Sequence, residues 1–251
     1  MDEPAVIWNF EVAIQDSCAE HREPFNWGTA LFRPDMPRVH DQNLLRMERG
    51  FGEVGARELA AEADRVQRPA GLSHRKVMVP DAEAGQKLWD EFAELSWRRA
   101  RHVTMVHRDQ PPGEPRHPVR EVESAMLRSA RVKAFEEDLG SVAADQVAAS
   151  LELVASVVPA RAFVVEIDGE FVSWAVLYEE DGIGQIDDVV TDPAHRRRGY
   201  GRAVVEAATR ASLASGNRIT FLIADDEDWP KEMYARLGYE PVDLRFEYTR
   251  M

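Results

Sequence analysis

The chain has 251 residues, 44% of them hydrophobic, a single cysteine and a formal net charge of −14 at pH 7. That length holds one large domain or two small ones with real cores. The acidity excludes the broadly basic face of a nucleic-acid-binding protein. Cys18 alone excludes a disulfide framework or a cysteine-rich metal site, which suits a reducing cytosol. The acidic start MDEPAVIWNFEVAIQD lacks a basic leader and a long apolar run, and no apolar run of about 18 residues follows. The expectation is a cytoplasmic protein without signal peptide or membrane span.

In chain order, FNWGTALFR (25–33) reads as a strand and HDQNLLRME (40–48) as another. VGARELAAEADRV (54–66) is rich in helix formers. HRKVMV (74–79) is a short strand. AGQKLWDEFAELSWRR places Leu88, Trp89, Phe92 and Leu95 at helical spacing, and RHVTMVH (101–107) is a strand. Then HRDQPPGEPRHP breaks the pattern with four prolines and a glycine, which oppose both helix and strand. We read residues 109–117 as a linker between domains at 1–108 and 118–251.

Beyond it, VREV is a candidate strand, and residues 123–137 and 143–157 are helical. RAFVVEID and EFVSWAVLYEE flank Asp168-Gly169, a strong hairpin signal. GQIDDVVT is a strand, a helix runs to about Ser215, RITFLIA is a strand, WPKEMYARLG a helix and EPVDLRFEYTR the last strand. Gly216 and Gly238 stand where helices end. Both halves share a β-α-β-α-β order, which points to an old duplication.

The chemistry concentrates in HRRRGYGRAVVEAATR, between strand and helix. A glycine turn lets backbone approach a ligand, and the following helix start presents free N–H groups with partial positive charge. With arginines beside it, the assembly suits a diphosphate. The Walker A pattern is absent, and the dinucleotide fingerprint fails because Val204 stands where a third glycine belongs. What is present is R-x-x-G-x-G, as Arg196-Arg197-Arg198-Gly199-Tyr200-Gly201.

That hexapeptide resembles the acyl-CoA pyrophosphate loop of the GNAT (Gcn5-related N-acetyltransferase) superfamily. The flanks agree: VVTDP before it, an Ala/Val-rich helix after it, and YARLGY (Tyr234 to Tyr239) resembling the closing helix. The resemblance covers about Pro118 to Met251. It implies an α/β (α+β) fold of tandem GNAT-like units, each a mixed sheet flanked by helices, the N-terminal one a degenerate half without a cofactor site. Gly50-Phe51-Gly52 imitates the loop, but Met47 replaces its Arg or Gln.

The resemblance also implies roles. The strand before the loop splays from its neighbour, and Val189, Val190 and Thr191 bind the pantetheine arm through their backbone, with the Val189 amide aimed at the thioester carbonyl. Backbone amides from Arg197 to Arg202 cradle the diphosphate, and the Arg196, Arg197 and Arg198 side chains attract it; Gly199, Tyr200 and Gly201 belong to the same loop. Tyr234 matches the general acid. The implied base is open. Gln185 falls where some relatives carry a glutamate. Asp187 is the first candidate, with a purely structural role equally open to it, and Glu166 is a weaker one. By strand alternation Gln185, Asp187 and Val189 share a face and Asp188 points away. The acids Asp225, Asp226, Glu227 and Asp228 replace an asparagine region of many relatives. Asp228 reads as a helix N-cap, and the cluster could also face a cationic acceptor.

The reading is an acetyl-CoA-dependent N-acetyltransferase acting on a small-molecule or peptide amine, without metal, nucleic acid or membrane, as monomer or homodimer. A catalytically inactive acyl-CoA sensor is the alternative, and nucleotide binding at the basic turn is a third reading.

Overall fold

A computed structural model describes residues 2–251. By contacts the chain divides into two compact units: Met1–Thr104 with Asp225–Glu227 and Asp243–Met251, and Met105–Ala224 with Asp228–Val242.

The first unit opens with α1 (Glu3–Cys18), a helix with no counterpart in the sequence reading. β1 (His21–Phe25) and β2 (Gly28–Phe32) follow as an antiparallel hairpin where one strand was expected. The reason is chemical: β1 is exposed but for Phe25 and carries Pro24, tolerated because β1 is an edge strand, so it sends no hydrophobic signal. β3 (Leu44–Met47), α2 (Ala56–Gln67) and β4 (Arg75–Val79) form a β-α-β unit with β3 and β4 parallel. α3 (Ala82–Glu94), capped by the Asp81 side chain on the Ala84 amide at 2.8 Å, leads to β5 (Arg98–His107), in which the chain passes to the second unit.

Within the first unit the sheet order is β1-β2-β3-β4 and then the chain's final strand. Leu45, Val77, Val79 and the helix residues Leu59, Ala63, Leu88 and Phe92 form its main core. Leu31, Leu44 and Met78 form a smaller cluster with Trp8 of α1. Alternate residues of β3 and β4 therefore supply the two clusters, which explains why these strands are buried throughout.

The second unit continues with β6 (Arg120–Val122), a 3-10 turn at Ser124–Leu127, α4 (Arg128–Leu139) and α5 (Ser141–Val157). β7 (Ala160–Ile167) and β8 (Glu170–Glu180) pair antiparallel about the Asp168-Gly169 turn, with φ of 52° and 83°. Both residues are left-handed, as a tight hairpin turn requires. β9 (Ile183–Thr191) pairs with β8, and α6 (Tyr200–Ala214) leads to β10 (Ile219–Asp225), parallel to β9. α7 (Pro230–Ala235) and β11 (Tyr239–Arg250) close the chain. The order here is β10-β9-β8-β7-β6. α6 buries Ala203, Val204, Val205 and Ala208 and meets β7, β8 and β9. Each such valine contributes about 1.5–3 kcal/mol on burial. In each unit the strands pair in mixed parallel and antiparallel order and are flanked by helices.

Two features shift the expected boundaries. Residues 109–117 have no regular structure, yet they belong to the second unit and pack on its helix α6: His117 stacks edge-on against Tyr200 at 4.8 Å, and Glu114 pairs with Arg210 at 2.6 Å. The tail from Asp243 belongs to the first unit, because Phe246–Arg250 pair with β4. Charge pairs tie the tail to the same unit. Lys76 sits between Asp41 and Glu247, Arg245 meets Glu11 of α1, and Arg250 reaches Asp64 at 2.7 Å.

Candidate active site

The site is built on β9, the loop after it and α6, all in the second unit. β9 and β10 pair from Ile183↔Ile219 to Ile186↔Leu222, and there the ladder ends although both strands continue. One edge of residues 187–191 is thereby left without a strand, as the resemblance implied. The opposite edge stays on β8, with Val190 facing Trp174 and Thr191 facing Ser173. The Ser173 hydroxyl donates to the Val190 carbonyl at 2.8 Å and lies 2.8 Å from Thr191 Oγ1.

Between those stretches the register slips: Trp174 faces Val190 but Val176 faces Asp187, so Asp188 and Val189 together oppose Ala175. This is a β-bulge, centred on Asp188 at φ 49°. It interrupts the expected alternation. Gln185 and Asp187 do lie two apart on regular strand, but Val189 comes after the extra residue. Gln185 is buried and Asp187 is exposed.

Asp188, expected to point away, has a buried side chain held from two other elements. Its carboxylate is 2% exposed and accepts from Arg131 Nε at 2.7 Å and from Trp174 Nε1 at 3.0 Å. Arg131, on α4, is fully buried and also donates to Ser124 Oγ at 3.1 Å. Burial pushes the Asp188 carboxyl up to about 6, against the pull of Arg131. Sequence reasoning missed this group because its signal is an arginine 57 positions away, invisible to any local pattern.

The loop follows. Asp192 Oδ1 accepts from the Ala194 amide at 2.8 Å and lies 3.2 Å from His195 Nδ1, fixing a short turn at Pro193–His195. Arg197 takes φ 61° and Gly199 φ 88°, so two left-handed residues curl the chain into the helix start. Gly199 also has His117 Nε2 3.3 Å from where a Cβ would be, so a larger residue meets both strain and contact. Gly201 brings α6 against the end of β9: a Cβ there would lie 3.0 Å from Thr191 Oγ1. Among the described residues no side chain caps α6, so its first amides are unclaimed by side chains.

The arginines divide. Arg196, Arg197 and Arg198 are exposed. Arg196 Nε donates to the Thr191 carbonyl at 3.2 Å and Arg198 to the Ala194 carbonyl at 3.4 Å, tying the loop to itself. Arg202 is paired one turn on with Glu206 at 2.8 Å.

Tyr234, on α7, is buried, and its ring packs edge-on against Tyr239 at 6.3 Å. Burial, with the Asp187 and Asp228 carboxylates adding to it, pushes its hydroxyl up to about 12. Asp187 and Tyr234 thus feel each other. Glu166 lies elsewhere: it is on β7, beyond β8 from β9, and pairs with Arg120. The acidic run is mostly spent on local structure. Asp225 accepts from the Glu227 amide at 2.8 Å and Asp226 meets Arg101 at 2.6 Å. Asp228 accepts from the Trp229 amide at 2.7 Å, one position before the actual N-cap, Trp229, because Pro230 occupies the first helical position.

Near the loop, a cavity of about 300 Å³ lies between α4 and the start of β8, lined by Ala130, Lys133, Phe171, Trp174 and Asp192 among others. Among the described residues no group of three or more His, Cys, Asp or Glu could hold a metal ion, and no helix is long and apolar enough to cross a membrane.

Residues 124–239 match the model of the acetyltransferase (GNAT) family. Among solved structures, the chain resembles a conserved protein of unknown function from Staphylococcus epidermidis ATCC 12228, with a TM-score of 0.68 and 15% identity over 91% of this chain and 92% of that one. A GCN5-related N-acetyltransferase from Kribbella flavida aligns with a TM-score of 0.59 and 18% identity over 99% and 96%. A tandem GNAT protein from the clavulanic acid biosynthesis pathway aligns at 0.51 and 17% over 77% and 69%. At such identities these likenesses concern the fold. No curated protein sequence matches.

Proposed function

Since residues 124–239 form a domain of the acetyltransferase (GNAT) family, we propose that the protein transfers an acetyl group from acetyl-CoA to an amine. The observation that carries the reading is the meeting of two features on one β-α-β unit. A strand edge is left open beyond Ile186, and the uncapped helix start follows it. The first suits an extended amide-bearing chain such as pantetheine, which adds to a sheet edge by main-chain bonds. The second suits a diphosphate.

In this reading Val189, Val190 and Thr191 hold the pantetheine arm, and the Val189 amide stabilises charge gathering on the thioester oxygen. Amides from Arg197 to Arg202, including Gly199, Tyr200 and Gly201, take the diphosphate. The exposed Arg196, Arg197 and Arg198 raise its local concentration. The amine nitrogen bonds to the thioester carbon as the carbon–sulfur bond breaks. Its surplus proton passes to Asp187, directly or through water, and the departing thiolate takes a proton from Tyr234. Amide and free CoA result. A hydroxyl pushed up to about 12 is fully protonated at neutral pH and so carries the proton that the departing thiolate takes. We further propose that the first unit is a degenerate GNAT-like half without a cofactor site.

Buried Gln185, where some relatives carry a glutamate, favours a second reading in which the domain binds acyl-CoA without catalysis. Calorimetry with acetyl-CoA and with ATP, followed by CoA release with a panel of amines, tests all three readings. Tight acetyl-CoA binding with turnover is expected. Binding without turnover on any amine selects the sensor, and tighter ATP binding overturns the assignment.

A further inference from the structure

We propose that the buried Asp188–Arg131 pair is a latch that holds the β9 bulge so that the Val189 amide faces the acyl thioester. The proposal rests on the acyl-CoA reading above and names positioning residues for it. Asp188 carries φ 49° inside a strand, a backbone state that costs a non-glycine residue on the order of 1 kcal/mol. Such a state persists only where its surroundings over-determine it. Here they act from three elements. Arg131 of α4 and Trp174 of β8 donate to the Asp188 carboxylate at 2.7 and 3.0 Å. On β9 itself, Asp187 Oδ1 accepts from the Asp188 amide at 2.8 Å.

The latch sits where an error would matter. The bulge lies just past the last β9–β10 pair, Ile186↔Leu222, and just before Val189. A one-residue slip in a strand exchanges which groups face each side. With Asp188 held at its side chain and at the N–H of the 187–188 peptide, its left-handed φ is fixed and the bulge is kept at this position, just before the Val189 amide. The arginine is itself held, by Ser124 Oγ at 3.1 Å and the Ser124 carbonyl at 3.4 Å, so α4 transmits a fixed position. Removing one charge of a buried pair leaves the other uncompensated, so the charge-removing variants carry a folding cost and the milder Trp174→Phe is measured beside them.

The test uses ¹⁵N-labelled full-length protein with acetyl-CoA, alongside thiol release from acetyl-CoA. In the wild type, acetyl-CoA shifts the amide resonances of Val189, Gly199 and Gly201. In Asp188→Asn and Arg131→Gln the glycine shifts persist and the CoA dissociation constant stays within about threefold, while Val189 ceases to respond and thiol release slows at least about tenfold. Trp174→Phe removes one bond and spares the ion pair; its effect is smaller in the same direction. A folded ion-pair variant whose Val189 still responds overturns the latch. Should both ion-pair variants fail to fold, an unchanged Val189 response in Trp174→Phe does the same. A wild type whose glycine amides ignore acetyl-CoA overturns the acyl-CoA reading, and the latch with it.

Discussion

The two units each contain a parallel β-α-β with a Gly-x-Gly loop, yet their helix starts differ in what they offer an anion. In the first unit, β3 leads through Gly50-Phe51-Gly52 to α2. There the Glu58 carboxylate accepts from the Gly55 amide at 3.1 Å and Glu91 from the Ala56 amide at 2.8 Å. The protein's own carboxylates occupy the place a phosphate would take. In the second unit, α6 starts without a side-chain cap behind exposed arginines. Glycine spacing alone therefore does not make an anion site; the first amides must be left free and the flanking charge must be positive.

Four experiments bear on that contrast. Tyr234→Phe should lower turnover by about 100-fold or more with acetyl-CoA affinity retained, which steady-state kinetics with calorimetry would check. Equal turnover would remove Tyr234 from the chemistry. Gly201→Asp gives α6 a carboxylate of the kind α2 has, so acetyl-CoA affinity should drop about 10- to 100-fold. In the first unit the double variant Gly50→Ala, Gly52→Ala should keep that affinity. It should melt several degrees lower, since Gly50 has φ 72° and a Cβ there would sit 2.5 Å from Trp27 Cδ1. Lost affinity in that variant would locate a donor site where none is expected.

The smallest effect concerns pH. Burial, helped by the cations Lys76 and Arg75 and by stacked His40, pushes His74 down to about 4. The folded unit keeps this imidazole neutral while the unfolded chain protonates it near 6.5. Stability from this group is present above 6.5 and declines as pH falls toward 4. Asp188 works in the opposite sense: raised to about 6, it favours the folded state most below its ordinary value, and that contribution fades as pH rises to 6. Hydrogen exchange at pH 4.5 and 6.5 should show His74→Gln flattening the dependence in the first unit and Asp188→Asn altering only the second. Identical slopes in the variants would break the assignment.

Much of the second unit was legible. Each of its strands from β7 to β10 lies within two residues of the expected segment, because apolar runs and the Asp168-Gly169 turn punctuate them. The glycine loop was legible for the same local reason. α1 and β1 were not. β1 is almost wholly exposed, and α1 keeps only Ile7, Phe10, Glu11 and Cys18 buried, so neither shows a clear periodic face. Expecting Asp187 and Val189 to share a face treated β9 as regular, and a bulge does not announce itself in residue types.

The sequence by itself determined most local elements of the second unit, the glycine-arginine turn at residues 196–202 on which the proposed anion site rests, and the likeness to an acetyltransferase. These depend on neighbours within a few positions along the chain. Only the tertiary structure decided that β9 bulges at Asp188, that the ladder with β10 stops at Ile186, and that the last strand joins the first unit from Asp243 onward. Each of those outcomes is set by partners far away in sequence, Arg131 for the bulge and β4 for the tail. Desolvated charge and strand pairing select among registers that the local residues leave equally open.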